Sequence, residues 1–238
     1  NGDRGIFGAG DLCAALRPKK RNAPTSRMLS IENTSNAGGG TVWPLEKVAE
    51  VCDAANEAQL KCHMDGARLL NAVVASGTPA IDYAKHLDSL WIDLSKGLGC
   101  PIGAVLAGSS DFIEEAFRLK HLLGGAMRQS GIIAAAGVYA LEHNIDRLAE
   151  DHDNARHLAR RLAQIPGIKI DTSDVETNLV FFDITATDRT APEISEALKA
   201  KGVFIGAVNG SRMRAVTHLG ISQSMVDEAA DTISKVLN

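Results

Sequence analysis

The sequence has no excess of charge of one sign and no long apolar run, and each absence excludes a class of partner. Its 238 residues include 25 Lys and Arg against 29 Asp and Glu, a formal net charge of −4. So balanced a charge leaves no electrostatic footprint for nucleic acid. No apolar run approaches the roughly 20 residues that a membrane-spanning helix needs. We therefore expect neither a nucleic acid nor a membrane as a partner.

Cysteine is scarce, and the sequence contains no C-x-x-C pair. The four cysteines are scattered, at Cys13, Cys52, Cys62 and Cys100. This pattern favours reduced thiols in a cytoplasmic protein, and we expect no metal site. A G-x-G-x-x-G motif is also missing after the first predicted strand, which disfavours a generic nucleotide-binding module.

Strands and helices alternate in the first half of the chain. The predicted strands are Ser26–Thr34, Leu60–Asp65, Asp88–Ser95 and Ile102–Gly108, and the predicted helices are Pro44–Gln59 and Gly66–Ser76. Alternation of this kind predicts an α/β sheet of largely parallel order. The fourth strand follows the third through only a short turn, so it is expected to be an antiparallel neighbour.

The second half begins with a long helical region, from Gly131 to Gly167. Its histidines, His143, His152 and His157, are predicted to lie on a polar helix face and to have no role. Shorter strands and helices follow and predict a small α/β unit with a meandering sheet. The chain is long enough for two cores, and we expect one domain over residues 1–135 and a second over residues 136–238.

A lysine at the end of an apolar strand is the first candidate functional residue. In "DSLWIDLSKGLG", Lys96 is followed at once by Gly97 and Gly99. An amine desolvated at the end of a buried strand is available as a nucleophile. The glycines would let a flat or phosphorylated ligand approach the backbone. The alternative is a lysine that reaches solvent beside an ordinary glycine turn.

An aspartate at the end of the preceding strand strengthens the functional interpretation. Asp65 precedes Lys96 by 31 positions, a suitable length for one strand–crossover–strand unit. Both side chains would then project from the carboxyl ends of nearby strands, where ligands of open α/β sheets bind. This pair suits pyridoxal 5′-phosphate, with Lys96 forming the Schiff base and Asp65 keeping the pyridine nitrogen protonated. Asp65 could also cap the following helix.

Five motifs occur in an order that resembles a known family. They are "ENTSNAGGGTVWPL", "HMDGARLLNA", "DLSKGLGCPIGAVLAG", "LLGGAMRQSGIIAAAG" and "RAVTHL". From about Arg17 onward the chain resembles the low-specificity L-threonine aldolases, fold-type-I pyridoxal-phosphate enzymes and kin of the β-eliminating lyases. The resemblance implies a mostly parallel central sheet in a large domain, incomplete at its N-terminus, and a small C-terminal α/β domain. It also implies a homotetramer built as a dimer of dimers.

The activity that the resemblance implies is aldol cleavage. L-Threonine, L-allo-threonine and other β-hydroxy-α-amino acids would be split into glycine and an aldehyde. Another fold-type-I lyase on a small amino acid, a β-eliminase or a racemase, is the nearest alternative. The second alternative is that the chain is a non-catalytic fragment or a non-catalytic partner chain.

The resemblance also assigns site residues. It implies that Lys96 and Asp65 are catalytic and bind the cofactor, and that Arg68 reaches the phenolic oxygen of the cofactor and the substrate carboxylate. Ser95 either binds the phosphate or caps a turn. Arg128 is expected near the phosphate of a neighbouring subunit's cofactor, or in an interface ion pair.

An arginine near the end of the chain completes the implied substrate site. Arg214 matches the arginine that binds the substrate carboxylate, for which a planar fork is well suited. Arg212 is the alternative strand-surface arginine. His63 is expected to be a packed support residue, and Asn33 and Asn36 are expected to order a loop.

One part of the family pattern is missing. Family members carry an N-terminal portion with a Gly/Ser/Thr turn for the phosphate and a histidine that stacks on the pyridine ring. No stretch of this sequence matches either feature. We therefore expect this chain to be the larger fragment of a longer enzyme, with the rest as a further partner.

Overall fold

The computed structural model describes residues 2–185 and 188–237 and has two compact units. The first consists of Asn1–Gly38 and Val42–Asp146, and the second of Gly39–Thr41 and Arg147–Asn238. The domain boundary expected between residues 135 and 136 stays a prediction. Among the described helices, none combines the length and the apolar composition needed to cross a membrane.

The first unit is built around a four-stranded sheet. Its strands are β1 (Met28–Glu32), β2 (Lys61–Gly66), β3 (Ser89–Asp93) and β4 (Ala104–Gly108). Its helices are α1 (Ala9–Ala15), α2 (Leu45–Glu57), α3 (Leu69–Ser76), α4 (Ala80–Ala84), α5 (Ser110–Leu122) and α6 (Gly131–His143). The order is β1-β2-β3-β4, parallel except for the antiparallel β3–β4 pair, which confirms both sequence predictions.

The two faces of this sheet differ in character. Ile31 and Met64 are register partners, are completely buried, and belong to the core that α2 covers. Successive side chains of a strand point to opposite faces. The alternate residues, including the register partners Glu32 and Asp65, therefore lie on a second face, where they are half-buried.

The helix predicted from Gly66 begins only at Leu69. The intervening turn is held by other hydrogen bonds: the Asp65 carboxylate accepts from the Ala67 N–H at 3.1 Å, and the Arg68 N–H donates to the Asn33 carbonyl at 3.3 Å. These bonds give the end of β2 a fixed conformation before the helix starts.

The second unit is a smaller antiparallel sheet with three helices. Its strands are β5 (Ile168–Lys169), β6 (Leu179–Ile184), β7 (Gly206–Ala207) and β8 (Arg212–Val216), in the order β5-β6-β8-β7. Its helices are α7 (Leu148–Leu162), α8 (Ala191–Lys199) and α9 (Gln223–Leu237), with a short 3-10 turn at Thr172–Asp174. The Thr177 hydroxyl donates to the Gly40 carbonyl at 2.8 Å, which ties residues 39–41 to this unit.

The long helical region is interrupted between His143 and Leu148, and one histidine does not lie where it was expected. His152 is only 2% exposed, so its expected position on a polar face is wrong. It follows Leu148 by four positions and precedes Ala155 by three, and so belongs to the buried stripe of α7. Burial, aided by the nearby Arg156 cation, lowers the pKa of His152 to about 4.

Candidate active site

The candidate site lies at the carboxyl ends of β2 and β3, which meet at one edge of the sheet because the strands are parallel. Asp65 and Trp91 are register partners, so their side chains lie side by side on the same face. The Lys96 Nζ lies 5.5 Å from the centre of the Trp91 ring. Asp65 and Lys96 thus both lie near Trp91, and their joint role at one cofactor stays a prediction.

Lys96 follows β3 by three residues and extends partly into solvent. Its side chain is 38% exposed, so the expected desolvation of the amine is not observed. The apolar part of the strand ends too early to enclose it. The Nζ lies 3.1 Å from the Oδ2 of Asp93, the last residue of β3, whose side chain is only 12% exposed.

Asp93 is a site residue that the sequence interpretation missed. Its Oδ1 accepts hydrogen bonds from the Ser95 N–H at 2.8 Å and from the Ser95 hydroxyl at 2.6 Å. Burial acts to raise the pKa of Asp93, but the Ser95 bonds and the Lys96 ammonium together hold that pKa below its usual value. An Asp two positions before a Ser, as in "DLSK", is typical of a side-chain-closed turn and could have indicated this role.

Asp65 has one oxygen engaged and one open. Its Oδ1 accepts from the Ala67 N–H, while within the described residues Oδ2 has no hydrogen bond. That bond lies within the turn before α3, whose N-cap is Arg68, so Asp65 does not cap the helix. Asp65 lies on the half-buried side of the sheet, and its second oxygen could accept a hydrogen bond from a protonated ring nitrogen.

Asn33 orders the end of β1, as expected. It is completely buried, its N–H donates to the Asp65 carbonyl at 2.9 Å, and its carbonyl accepts from Arg68. Its side-chain Oδ1 accepts from the Trp43 N–H at 3.3 Å. Asn33 therefore links the backbones of Asp65 and Arg68, and Arg68 itself is half-buried beside them.

The close approach of β2 and β3 depends on Gly66. A Cβ at this position would lie 2.3 Å from the Trp91 carbonyl oxygen, a distance that no side chain tolerates without a backbone shift. The Asp65 carboxylate and the Trp91 ring, which the Lys96 amine approaches, therefore lie on one face of two tightly paired strands. This arrangement fits pyridoxal phosphate, whose ring needs both groups.

Three further residues of the first unit have defined positions. The Ser95 hydroxyl donates to Asp93, and its proposed contact with a phosphate stays a prediction. Arg128 is exposed in the turn that precedes α6. His63 lies on the same face as Asp65, and its Nδ1 is 2.8 Å from the Ser89 hydroxyl on β3, a contact that suits a support residue.

The predicted substrate residue lies in the second unit. Arg214 is half-buried on β8, where its register partner on β6 is Phe181. Arg212 is exposed, and its guanidinium lies 5.2 Å from the centre of the Phe181 ring. The role of Arg214 in binding a carboxylate stays a prediction.

An α/β fold with an amine and a carboxylate at neighbouring strand ends defines the class of fold-type-I pyridoxal-phosphate enzymes. Residues 1–185 match the model of the beta-eliminating lyase family, and the chain belongs to that family. Members of this family and the threonine aldolases related to this chain depend on pyridoxal phosphate.

Two curated relatives are similar over most of this chain. It is 40% identical to low-specificity L-threonine aldolase 1 of Arabidopsis thaliana over 90% of its length, covering 60% of that protein. It is also 40% identical to the low specificity L-threonine aldolase of Escherichia coli K12, covering 90% of this chain and 62% of the relative. The chain thus spans about three fifths of the length of these relatives.

A solved structure shows the same fold. The threonine aldolase of Leishmania major superimposes with a TM-score of 0.77 at 18% sequence identity. The match covers 100% of this chain and 69% of that protein. The predicted fold type I is therefore confirmed.

Proposed function

We propose that the protein containing this chain cleaves L-threonine, L-allo-threonine and other β-hydroxy-α-amino acids to glycine and an aldehyde. The observation that carries this proposal is that Asp65, the register partner of Trp91, and Lys96, whose Nζ lies 5.5 Å from the Trp91 ring centre, both lie beside this residue near two parallel strand ends. The identity of 40% to two low-specificity L-threonine aldolases supports the choice of substrate. Bound pyridoxal phosphate would supply an electron sink for the Cα–Cβ bond that breaks.

Two residues of the first unit would hold the cofactor ring. The Lys96 Nζ would bind it covalently and release it when the amino acid arrives. The open Oδ2 of Asp65 would hold a proton at the pyridine nitrogen, because an ionised carboxylate stabilises a neighbouring positive charge. Arg68, whose N–H is bonded to Asn33, would reach the phenolic oxygen of the cofactor.

Substrate binding requires a grip on the α-carboxylate. We assign this role to Arg214, assisted by Arg68, because the planar guanidinium binds a carboxylate through two parallel hydrogen bonds. Such a grip restricts rotation about the Cα–N bond and so orients the Cα–Cβ bond for cleavage. Ser95 and the exposed Arg128 are proposed phosphate ligands, Arg128 toward a neighbouring subunit.

A homo-oligomer, arranged as a dimer of dimers, is part of the proposal. None of the residues of α5 is buried, and large apolar side chains are exposed from β4 to α6. They include Val105, Leu106, Phe117, Leu122, Leu123, Met127, Ile132, Val138 and Tyr139. A concentration of exposed apolar side chains in one segment of the chain favours an interface there. We also propose a cytoplasmic location, since all four cysteines are free thiols.

Sedimentation tests the oligomer. Leu123 and Ile132 are each 82% exposed, and Leu123→Glu with Ile132→Glu is expected to dissociate the assembly. Phe204→Glu is the matched control, since Phe204 is 78% exposed in the second unit. Equal dissociation by both changes, or by neither, would contradict an interface over α5 and α6.

Product analysis tests the activity. The purified protein with pyridoxal phosphate and L-threonine is expected to yield glycine and acetaldehyde in equal amounts, and Lys96→Ala is expected to yield neither. An oxo acid with ammonia would instead identify a β-eliminase, which the name of the matched family makes the second candidate. A D-amino acid would identify a racemase, and absence of cofactor binding would identify a non-catalytic chain.

A further inference from the structure

The carboxylate of Asp93 has both of its oxygens engaged within a single turn. Oδ1 accepts two hydrogen bonds from Ser95, one from its N–H and one from its hydroxyl. Oδ2 faces the Lys96 ammonium at 3.1 Å. Because the Ser95 bonds fix the plane of the carboxylate, they also fix the direction in which Oδ2 points.

This arrangement differs from an ordinary surface ion pair. Lys85 and Asp82 have the same three-residue spacing and a distance of 2.6 Å, but the lysine side chain is 64% exposed and the aspartate 33%. The corresponding values for Lys96 and Asp93 are 38% and 12%. The lysine side chain has a flexible four-carbon stem. A partly buried carboxylate that cannot rotate, such as Asp93, restrains it more strongly than an exposed carboxylate such as Asp82.

The restraint acts toward the candidate cofactor position. Trp91 and Asp93 lie two residues apart on β3, so their side chains share a face of the sheet. The Lys96 Nζ lies near both, 5.5 Å from the Trp91 ring centre. Trp91 is in turn the register partner of Asp65. Asp93 therefore holds the Lys96 amine near Trp91, and Trp91 lies next to Asp65. In the proposed site, Lys96 binds the aldehyde carbon of the cofactor and Asp65 contacts its pyridine nitrogen.

We infer that Asp93 is a positioning residue for Lys96: its Ser95-anchored carboxylate holds the ammonium group in place, the ammonium loses a proton to solvent, and the free amine then adds to the cofactor aldehyde with release of one water molecule. The inference rests on the proposed function, since it concerns the lysine proposed to bind pyridoxal phosphate. It assigns Ser95 the immobilisation of the carboxylate through both its N–H and its hydroxyl. Because the hydroxyl has a single hydrogen, a contact with the cofactor phosphate would replace its bond to Asp93.

The test measures covalent capture rather than turnover. Cofactor-free protein is mixed with pyridoxal phosphate, samples are reduced with borohydride at intervals, and modified Lys96 is quantified by peptide mass. Asp93→Asn keeps an oxygen for both Ser95 bonds but removes the charge, and it is expected to slow capture about tenfold. Asp93→Glu is expected to restore most of the rate. Asp82→Asn, which breaks the matched pair with Lys85, is expected to leave it unchanged.

Capture by Asp93→Asn at the wild-type rate would overturn the inference. A thermal unfolding midpoint equal to that of the wild type separates positioning from loss of fold. If Asp93→Asn is unstable, Ser95→Ala takes its place, because it keeps the charge of Asp93 but frees the carboxylate to rotate. This variant is expected to slow capture about threefold. An unchanged rate of capture would overturn the inference. Absence of modified Lys96 in the wild type would refute the proposed function instead.

Discussion

Asp65 on β2 lies directly opposite Trp91 on β3, and the Trp91 ring lies 5.5 Å from the Nζ of Lys96. The pairing of two parallel strands therefore decides whether the carboxylate and the amine serve one ligand. A register shift of one residue would turn Asp65 toward the core. The missing side chain of Gly66 permits the close pairing of β2 with β3, and the Asn33 backbone bonds hold the end of β2 to the end of β1.

Removal of the charge of Asp65 is expected to reduce turnover. Asp65→Asn keeps an oxygen for the Ala67 N–H but cannot hold a proton at the cofactor nitrogen, so kcat should fall about 100-fold, equivalent to about 3 kcal/mol. Steady-state kinetics at saturating cofactor measures this. Glu32→Gln is the control, because Glu32 is the register partner of Asp65 on the same face. Equal losses in both variants would contradict a specific role for Asp65.

Gly66→Ala is expected to destabilise the first unit. The added methyl group would lie 2.3 Å from the Trp91 carbonyl oxygen, so β3 must move, at a cost of about 1–3 kcal/mol. Urea unfolding measures the change. Gly10→Ala is the control, because Gly10 lies in α1 with no atom within 4 Å of the added carbon, and stability should be unchanged or slightly higher. A Gly66→Ala protein as stable as the wild type would refute the tight strand pairing.

Arg214→Lys is expected to weaken substrate binding. Lysine keeps the charge but loses the bidentate fork, and hydrogen bonds to charged groups contribute about 1.5–3 kcal/mol, so KM should rise about 10-fold to 100-fold. Arg212→Lys provides the comparison, since Arg212 is exposed beside Phe181. A larger rise in KM for Arg212→Lys than for Arg214→Lys would reverse the assignment.

His152 is expected to make stability depend on pH. Its pKa is about 4 in the folded protein, below its usual value of 6.5, so the unfolded chain binds more protons between these values. Stability is therefore full above pH 6.5 and falls as the pH is lowered toward 4, by about 3 kcal/mol from this residue.

Carboxylates titrate in the same range, so the variant His152→Gln isolates the effect. Urea unfolding between pH 4 and pH 7 should show a shallower slope for the variant than for the wild type. Parallel slopes would show that the folded protein accommodates a charged His152, contrary to its 2% exposure.

Residues at the ends of elements were predictable from the sequence, because turn chemistry is local. Asp65 and Lys96 each follow an apolar run and precede glycine, and the structure brings them to the same strand edge. Asp93 was missed because a polar residue in an alternating strand resembles a solvent-facing one. The Asp-x-Ser spacing indicates the turn with Ser95, but the contact with Lys96 is visible only in the structure.

Buried polar residues were less predictable. Asp151 is completely buried in α7, where two of its hydrogen bonds, at 2.6 Å and 3.2 Å, come from Arg147. His152, next to it, is buried as a neutral ring. Their polarity indicates a solvent face, and only the 3.6-residue spacing from Leu148 indicates the core. When the polarity of a helical residue predicts exposure and its spacing predicts burial, the residues that pack against it determine which prediction is right. Those packing partners cannot be identified from one sequence.

The central claim, that Lys96 carries the cofactor, is tested most directly by borohydride reduction of the protein loaded with pyridoxal phosphate, followed by peptide mapping. The account predicts one modified lysine, Lys96, and loss of both the label and the visible absorption band in Lys96→Ala. A stable label on any other lysine, with Lys96 unmodified, would contradict it.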